Sequence, residues 1–297
     1  MPQITPHLWF DKDAKNAVDF YASVFPNSKI NHTAVLNNLP TPTGECDILS
    51  FELAGQPFMA INAGPLFKFN PSISFLVVQK TREAVDELWA KLSTGGSVLM
   101  ELGEYPFSKR FGWASDGYGL SWQIMFDDSG YPFQRLVTPS LMFVGDVAGR
   151  AEEAMTFYAS IFPESEVGTI SRYPAGMEPE REGTVKHGSV FLAGQEFFAM
   201  DSAGPHKFAF NEAISFLIPC EDQKEIDFYW DKLAADPKSE QCGWLKDKYG
   251  VSWQVWPTIM GEIMRKGTRE QIDRVTKAFL PMKKFDLAAL RKAYDEH

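Results

Sequence analysis

A chain of 297 residues, 44% hydrophobic and 23% charged, is long enough for about two globular domains and too apolar to be disordered throughout. Its net charge of −10 argues against nucleic acid as a partner, because neutralising phosphates needs clustered Lys and Arg. The longest apolar runs, such as Ile73–Val78, are too short to span a bilayer. No basic-then-apolar leader is visible, and three cysteines make no disulfide framework, so a cytoplasmic protein with no membrane partner is expected.

In chain order, Ile4–Phe10 alternates and predicts a strand. Asp13 is placed to cap a helix whose Ala14, Ala17, Val18, Tyr21 and Val24 share one face, and Pro26 ends it. Three strand-like runs follow, at about Lys29–Leu36, Ile48–Leu53 and Pro57–Asn62. Ser72–Val78 then reads as a strand, Thr81–Leu92 as a helix, and three short strands end at Met125. The cycle of strand, helix and three strands occurs twice before residue 130.

The whole pattern then repeats. FYASVFPNSKI (Phe20–Ile30) returns 137 positions later as FYASIFPESEV (Phe157–Val167), with seven of eleven letters identical. TPHLWF (Thr5–Phe10) returns as TPSLMF (Thr138–Phe143), and LAGQPFMAIN (Leu53–Asn62) as LAGQEFFAMD (Leu192–Asp201). ISFLV (Ile73–Val77) pairs with ISFLI (Ile214–Ile218), and GWASDGYGLSWQI (Gly112–Ile124) with GWLKDKYGVSWQV (Gly243–Val255). Preserved order means duplication of a whole domain. The expected division is domain 1 over 1–130, a turn-rich linker DDSGYPFQR (Asp127–Arg135), domain 2 over 136–257, and a helical tail over 258–297. In the tail, Thr268 with Gln271 predicts a capping box. Asp222 with Glu225 predicts another in domain 2.

The fold class is therefore α+β, with four strand–helix–three-strand units. Two units can curl their strands into an open barrel with helices outside and a concave face inside, which is the natural ligand site. One pocket per repeat is the expectation.

These residues resemble the PhnB-like branch of the vicinal oxygen chelate superfamily, which includes glyoxalases, extradiol dioxygenases and bleomycin-resistance proteins. The motifs are FYxSxFPxS, LxGQxFxAMDSAGP, the run from Phe210 through CEDQKEIDFYWDKL, and CGWLKDKYGVSWQVWP. The resemblance covers nearly the whole chain and implies paired βαβββ units. Repeat one departs most around Leu99–Lys109, where it has about ten extra residues. A ubiquinone methyltransferase label commonly accompanies this branch. The sequence gives that label no support, since no Gly-rich loop follows a strand with an acidic residue downstream.

The resemblance also implies where a metal would sit in relatives that use one: His or Glu on strands facing the concavity. Carried over, the first-strand positions are Thr5, His7 and Trp9, the fourth-strand candidates Ala60 and Asn62, and the fifth-strand candidates Ser72 and Ser74. In repeat two they are Thr138 and Ser140, Ala199 and Asp201, and Ala213 and Ser215. The closing glutamate falls at Gln123 and Gln254. An amide is a weak ligand and no general base, so no metal or other cofactor is expected.

Trp122 and Trp253, one residue before each Gln, should face the helices. Trp113 and Trp244 are open between core and pocket wall. His187 reads as a surface or loop-edge residue and His32 as a rim residue. Cys220 and Cys242 could approach each other as reduced thiols, or less simply as a redox pair.

The expected function is metal-free binding or sequestration of a small, partly apolar molecule. The ligand-binding candidates are Thr5, His7, Trp9, Asn62, Ser74, Trp113 and Gln123, with Thr138, Ser140, Asp201, Ser215, Trp244 and Gln254. Two alternatives stand beside it: a metal-dependent lyase, isomerase or dioxygenase of the glyoxalase class, and a pseudo-enzyme that binds a protein. Whether the chain is an enzyme is left open, as is a homodimer of the whole chain.

Overall fold

The computed structural model describes residues 3–296 apart from 38, 40 and 43. The first unit comprises β1 (Thr5–Phe10), α1 (Ala14–Val24), β2 (Lys29–Asn37), β3 (Glu45–Leu53) and β4 (Gln56–Asn62). The second comprises β5 (Ile73–Gln79), α2 (Arg82–Leu92), β6 (Ser97–Tyr105), β7 (Ser108–Ser115) and β8 (Ser121–Phe126). The third holds β9 (Val137–Phe143), α3 (Ala151–Ala159), β10 (Glu166–Arg172), β11 (Val185–Leu192) and β12 (Gln195–Asp201). The fourth holds β13 (Ile214–Cys220), α4 (Gln223–Leu233), β14 (Trp244–Lys246) and β15 (Ser252–Pro257). Three helices follow, α5 (Thr258–Lys266), α6 (Arg269–Phe279) and α7 (Leu287–Asp295). No helix among the described residues is long and apolar enough to cross a membrane.

The units pair differently from the expectation of one pocket per repeat. One seven-stranded sheet runs β14-β15-β13-β1-β4-β3-β2, and one eight-stranded sheet runs β10-β11-β12-β9-β5-β8-β7-β6. Sheet A thus joins the first unit to the fourth, and sheet B the second to the third. Each curled sheet still contains two units, but one comes from each repeat. The seams have the same register: His7 faces Ser215 across β1–β13, and Ser140 faces Ser74 across β9–β5. Because ISFLV and ISFLI present matching edges and faces, alternation alone cannot choose between the two pairings.

Within a repeat, the two units meet on their convex sides. Phe58 of β4 packs on Phe75 of β5 at a ring separation of 5.3 Å, and Phe75 packs on Trp122 at 5.5 Å. Polar bonds fix this contact. The Asp116 carboxylate accepts from the Tyr118 and Leu120 backbone N–H groups, and also from the Tyr21 hydroxyl and Trp122 Nε1 at 2.8 Å each. Asp247 repeats the arrangement with Tyr249, Val251, Tyr158 and Trp253. Both aspartates are buried. Burial pushes both carboxyls above the usual carboxylate range, and the four donors oppose that rise. Trp122 and Trp253 face the helices, as their position predicted.

The fourth unit has one strand fewer than expected. The chain after α6 lies on the outer edge of β14, where Cys242 and Gly243 donate to the Met282 and Lys283 carbonyls. The ten-residue excess of repeat one supplies the corresponding strand, β6, in sheet B. Gly243 has φ +84, and a Cβ there would lie 2.3 Å from the Phe285 ring, so only glycine admits this docking. The tail capping box forms as predicted, with Thr268 Oγ1 accepting from Gln271 N–H and Gln271 reaching back to Thr268 N–H. At α4, Asp222 accepts from Lys224 and Glu225, but Glu225 reaches back to the N–H of Glu221 instead.

Asp247→Ala should lower stability by about 3 kcal/mol or more, because it strands four buried donors. Tyr158→Phe should cost about 1 kcal/mol. The double variant should cost less than the sum, since Asp247→Ala already removes the acceptor. Urea unfolding midpoints of the three variants check this.

Candidate functional site

The concave face of sheet B encloses a cavity of about 780 Å3. One limb is built by β8 and β7, which bring Gln123, Met125, Phe111 and Trp113, and by Leu99, Met100 and Phe107 from the β6–β7 hairpin. The opposite limb is built by β10, β11 and β12, with Ser171, His187 and Met200 on the wall and Tyr173 just beyond β10. Met142 of β9 lies between them, and Ser202, His206 and Phe208 from the segment after β12 complete the lining. At one side the interdomain linker packs in: Phe133 contacts Phe198 at 6.1 Å, and the Tyr131 hydroxyl donates to Glu196 at 2.6 Å.

Gln123 is oriented by its neighbour. Its Nε2 donates to Ser74 Oγ at 2.8 Å, which leaves the amide oxygen as an acceptor. Gln254 does the same with Ser215 at 2.9 Å in sheet A. Trp113 lines the cavity and donates from Nε1 to Ser121 Oγ at 2.8 Å. The last-strand glutamines and the tryptophans paired directly opposite them on the adjacent strand therefore do share the concave face.

His187 is exposed, as expected of a surface or loop-edge residue, yet its ring also borders the cavity. It lies beside Met200, with its ring 4.7 Å from Phe198, and desolvation there lowers its pKa. Lys186 also turns into the wall. On β10–β11, Ser171 pairs with His187 but Arg172 pairs with Val185, so Lys186 is the extra residue of a bulge. Burial, with Glu180 and Asp201 nearby, pushes the Tyr173 hydroxyl up to about 12. The Glu180 carboxylate accepts from Ser202 Oγ and from Ala203 N–H at 2.7 and 2.8 Å. His206 Nε2 lies 2.8 Å from Ser202 Oγ. Since that hydroxyl proton goes to Glu180, the imidazole donates to serine and does not activate it as a nucleophile.

Sheet A uses the same positions differently. His7 and Trp9 replace Ser140 and Met142, and both contact Trp244 edge-on at 5.4 and 6.0 Å. Phe67 adds a further ring on Trp9 at 4.9 Å, and Trp9 Nε1 donates to the Gly64 carbonyl. These larger side chains occupy space that smaller ones leave open in sheet B. His7 is buried with Nδ1 unpartnered, and burial lowers its pKa to about 3. Thr5 donates to the Gln3 carbonyl at 3.2 Å, while Thr138 Oγ1 is buried without a partner.

Asn62 and Asp201 are corrections. They lie on the helix side of β4 and β12, and their polar atoms are committed there. Asn62 Oδ1 accepts from Ala14 N–H at 2.8 Å, doing the capping expected of Asp13, and its Nδ2 donates to Asp47. Asp201 accepts from the N–H groups of Gly149, Ala151 and Val185. The inward residues are Met59 and Ile61, or Phe198 and Met200, because a one-residue slip exchanges the two faces of a strand. Cys220 and Cys242 do not meet: β15 separates their strands, and burial pushes the Cys220 thiol up to about 12. His32 stands on the edge strand β2, with Nε2 buried and unpartnered.

The donor set does not fit a divalent metal. At the carried-over positions the concave faces offer amides, hydroxyls and thioethers with at most one imidazole. Among the described residues no group of three His, Cys, Asp or Glu is placed to share an ion.

Comparison with known proteins follows this geometry. The family described as 3-demethylubiquinone-9 3-methyltransferase matches residues 2–125 and again 135–256. The PhnB protein from Bacillus cereus is 38% identical over 41% of this chain and 98% of its own, with a TM-score of 0.39. That coverage is the length of one repeat. A glyoxalase I variant from Zea mays is 10% identical over 89% of this chain and 95% of its own, with a TM-score of 0.54, a likeness of fold across both repeats. No curated protein matches.

Acid should reveal His7. Its folded pKa lies below its unfolded value of about 6.5. The unfolded chain therefore binds the extra proton first, and stability falls as pH drops from that value towards about 3. Full stability returns above the unfolded pKa. Between pH 6.5 and 4 the linkage amounts to about 3 kcal/mol. His7→Leu should lose correspondingly less over that interval in urea titrations.

Proposed function

The chain belongs to the 3-demethylubiquinone-9 3-methyltransferase family of the vicinal oxygen chelate superfamily, and we propose that it binds a small, partly apolar molecule in the cavity of sheet B without a metal. The observation that carries this reading is the cavity itself, at about 780 Å3. That is a size suited to a small organic ligand. Its walls are aromatic rings and four methionines, Met100, Met125, Met142 and Met200. Thioethers adapt to irregular shapes and contact aromatic faces favourably. Gln123, held by Ser74, offers one oriented polar contact on the β8 limb.

Methyl transfer, which the family's description names, requires a donor site beside the acceptor. Among the described residues, the cavity wall has no glycine-rich turn at a helix N-terminus and no carboxylate for ribose hydroxyls. Binding is the part of that chemistry these residues support. The lyase and dioxygenase alternatives meet the same obstacle as the metal: among the described residues no carboxylate lines the wall to take a proton from substrate.

Two side chains separate this site from its counterpart in sheet A. Ser140 and Met142 leave room where His7 and Trp9 fill it, so the proposal places one ligand per chain. Native mass spectrometry of protein purified from its own host should show one bound small molecule per chain. Met142→Trp should abolish that species, and Gln123→Ala should weaken it by about tenfold, since an oriented polar contact contributes roughly 1–1.5 kcal/mol. Gln254→Ala should leave it unchanged. Retention of the ligand by Met142→Trp would overturn the assignment to sheet B.

A further inference from the structure

The polar groups of the cavity are unevenly distributed, and the imbalance identifies a class of ligand. The chain carries a net charge of −10, yet among the described residues no acidic side chain lines the cavity. Lys186 does line it. The ammonium has no ion-pair or hydrogen-bond partner among the described residues, although thirteen other pairings of Lys or Arg with carboxylates form elsewhere. Its position is produced by backbone design: the bulge between Arg172 and Ser171 turns Lys186 and His187 towards the same space. Glu180, whose charge acts on the neighbouring Tyr173, is engaged by Ser202 Oγ and Ala203 N–H. Tyr173 and His206 add groups able to donate on the same side. Opposite them, across the curled sheet, Gln123 and Trp113 stand among methionines and phenylalanines.

Resting on the reading that this cavity is a binding site, we propose that its ligand is an aromatic anion, whose ring system lies among the methionines and Trp113 and whose acidic group is held by Lys186. A cation left unpaired beside an apolar wall gains most from a charged partner that shares its partly desolvated position. Tyr173 and His187 then supply neutral hydrogen bonds around the same acidic group.

Two dyes that differ by one sulfonate test this. 8-Anilino-1-naphthalenesulfonate is N-phenyl-1-naphthylamine with an anionic substituent, and both report an apolar environment by fluorescence. Titrated into the full chain, the sulfonate should bind about tenfold more tightly than the neutral dye, the scale of a charge-assisted hydrogen bond. Its affinity should fall as salt rises. Lys186→Met should remove that preference, and Lys186→Arg should retain it. Met142→Trp should abolish binding of both.

Equal affinity of the two dyes for the natural chain, or a sulfonate preference that survives Lys186→Met, would overturn the anionic class while the Met142→Trp result upheld the cavity. A preference lost equally in Lys186→Met and Lys186→Arg would also overturn it, because charge would not then be the cause. Failure of both dyes to bind, or binding that Met142→Trp does not disturb, would remove the cavity reading and this inference with it.

Discussion

Two carboxylates withdrawn from water hold the architecture in place. Asp116 and Asp247 each accept two backbone N–H groups of their own tight turn with one oxygen, and a tyrosine and a tryptophan with the other. The tyrosine comes from the helix of the preceding unit. Each bond set therefore ties two units of a repeat together on their convex sides, where Phe58, Phe75 and Trp122, or Phe197, Phe216 and Trp253, close the core. With those faces occupied, the β1 and β5 edges are left to pair with β13 and β9 of the other repeat. Burial makes the carboxylates costly unless all four donors are present, so the same residues that stabilise a repeat dictate that its concave faces are completed by its neighbour.

That arrangement explains why one chain can carry two unequal sites. Duplication supplies both halves of each barrel, and the two seams have equivalent register. Once both faces belong to one polypeptide, they are free to diverge. In sheet A, His7 and Trp9 fill the face against Trp244, and the chain after α6 lines the edge of β14. In sheet B, smaller residues at the seam and the longer β6–β7 hairpin keep a space open. A neutral imidazole in a closed face and an ammonium beside an open cavity are opposite outcomes of one design.

Much of this was legible along the chain. The repeat order, the four units, the inward-facing first strand, the glutamines at 123 and 254 and the outward turn of Trp122 and Trp253 all follow from duplication and alternation. The face of the fourth strand did not: Asn62 and Asp201 read as inward-facing, and a single step of register moved them to the helix side, where they cap α1 and α3. Lys186 was illegible for a related reason. A bulge breaks strict alternation, and nothing local in VKHGSV announces one. His187 read as a surface or loop-edge residue and is exposed, but that it also borders the cavity beside Met200 follows only from the curl of the sheet.

The sequence by itself determined the doubled α+β plan, the units of each repeat and the glutamines at 123 and 254 on the last strands. These are properties of periodicity and residue type, which a linear chain displays. The tertiary structure alone decided which units share a sheet, which concavity stays open and which cation faces it. Those outcomes depend on competition between near-identical edges and on side-chain volumes that meet across more than one hundred residues of chain, and no local pattern encodes the winner of such a competition.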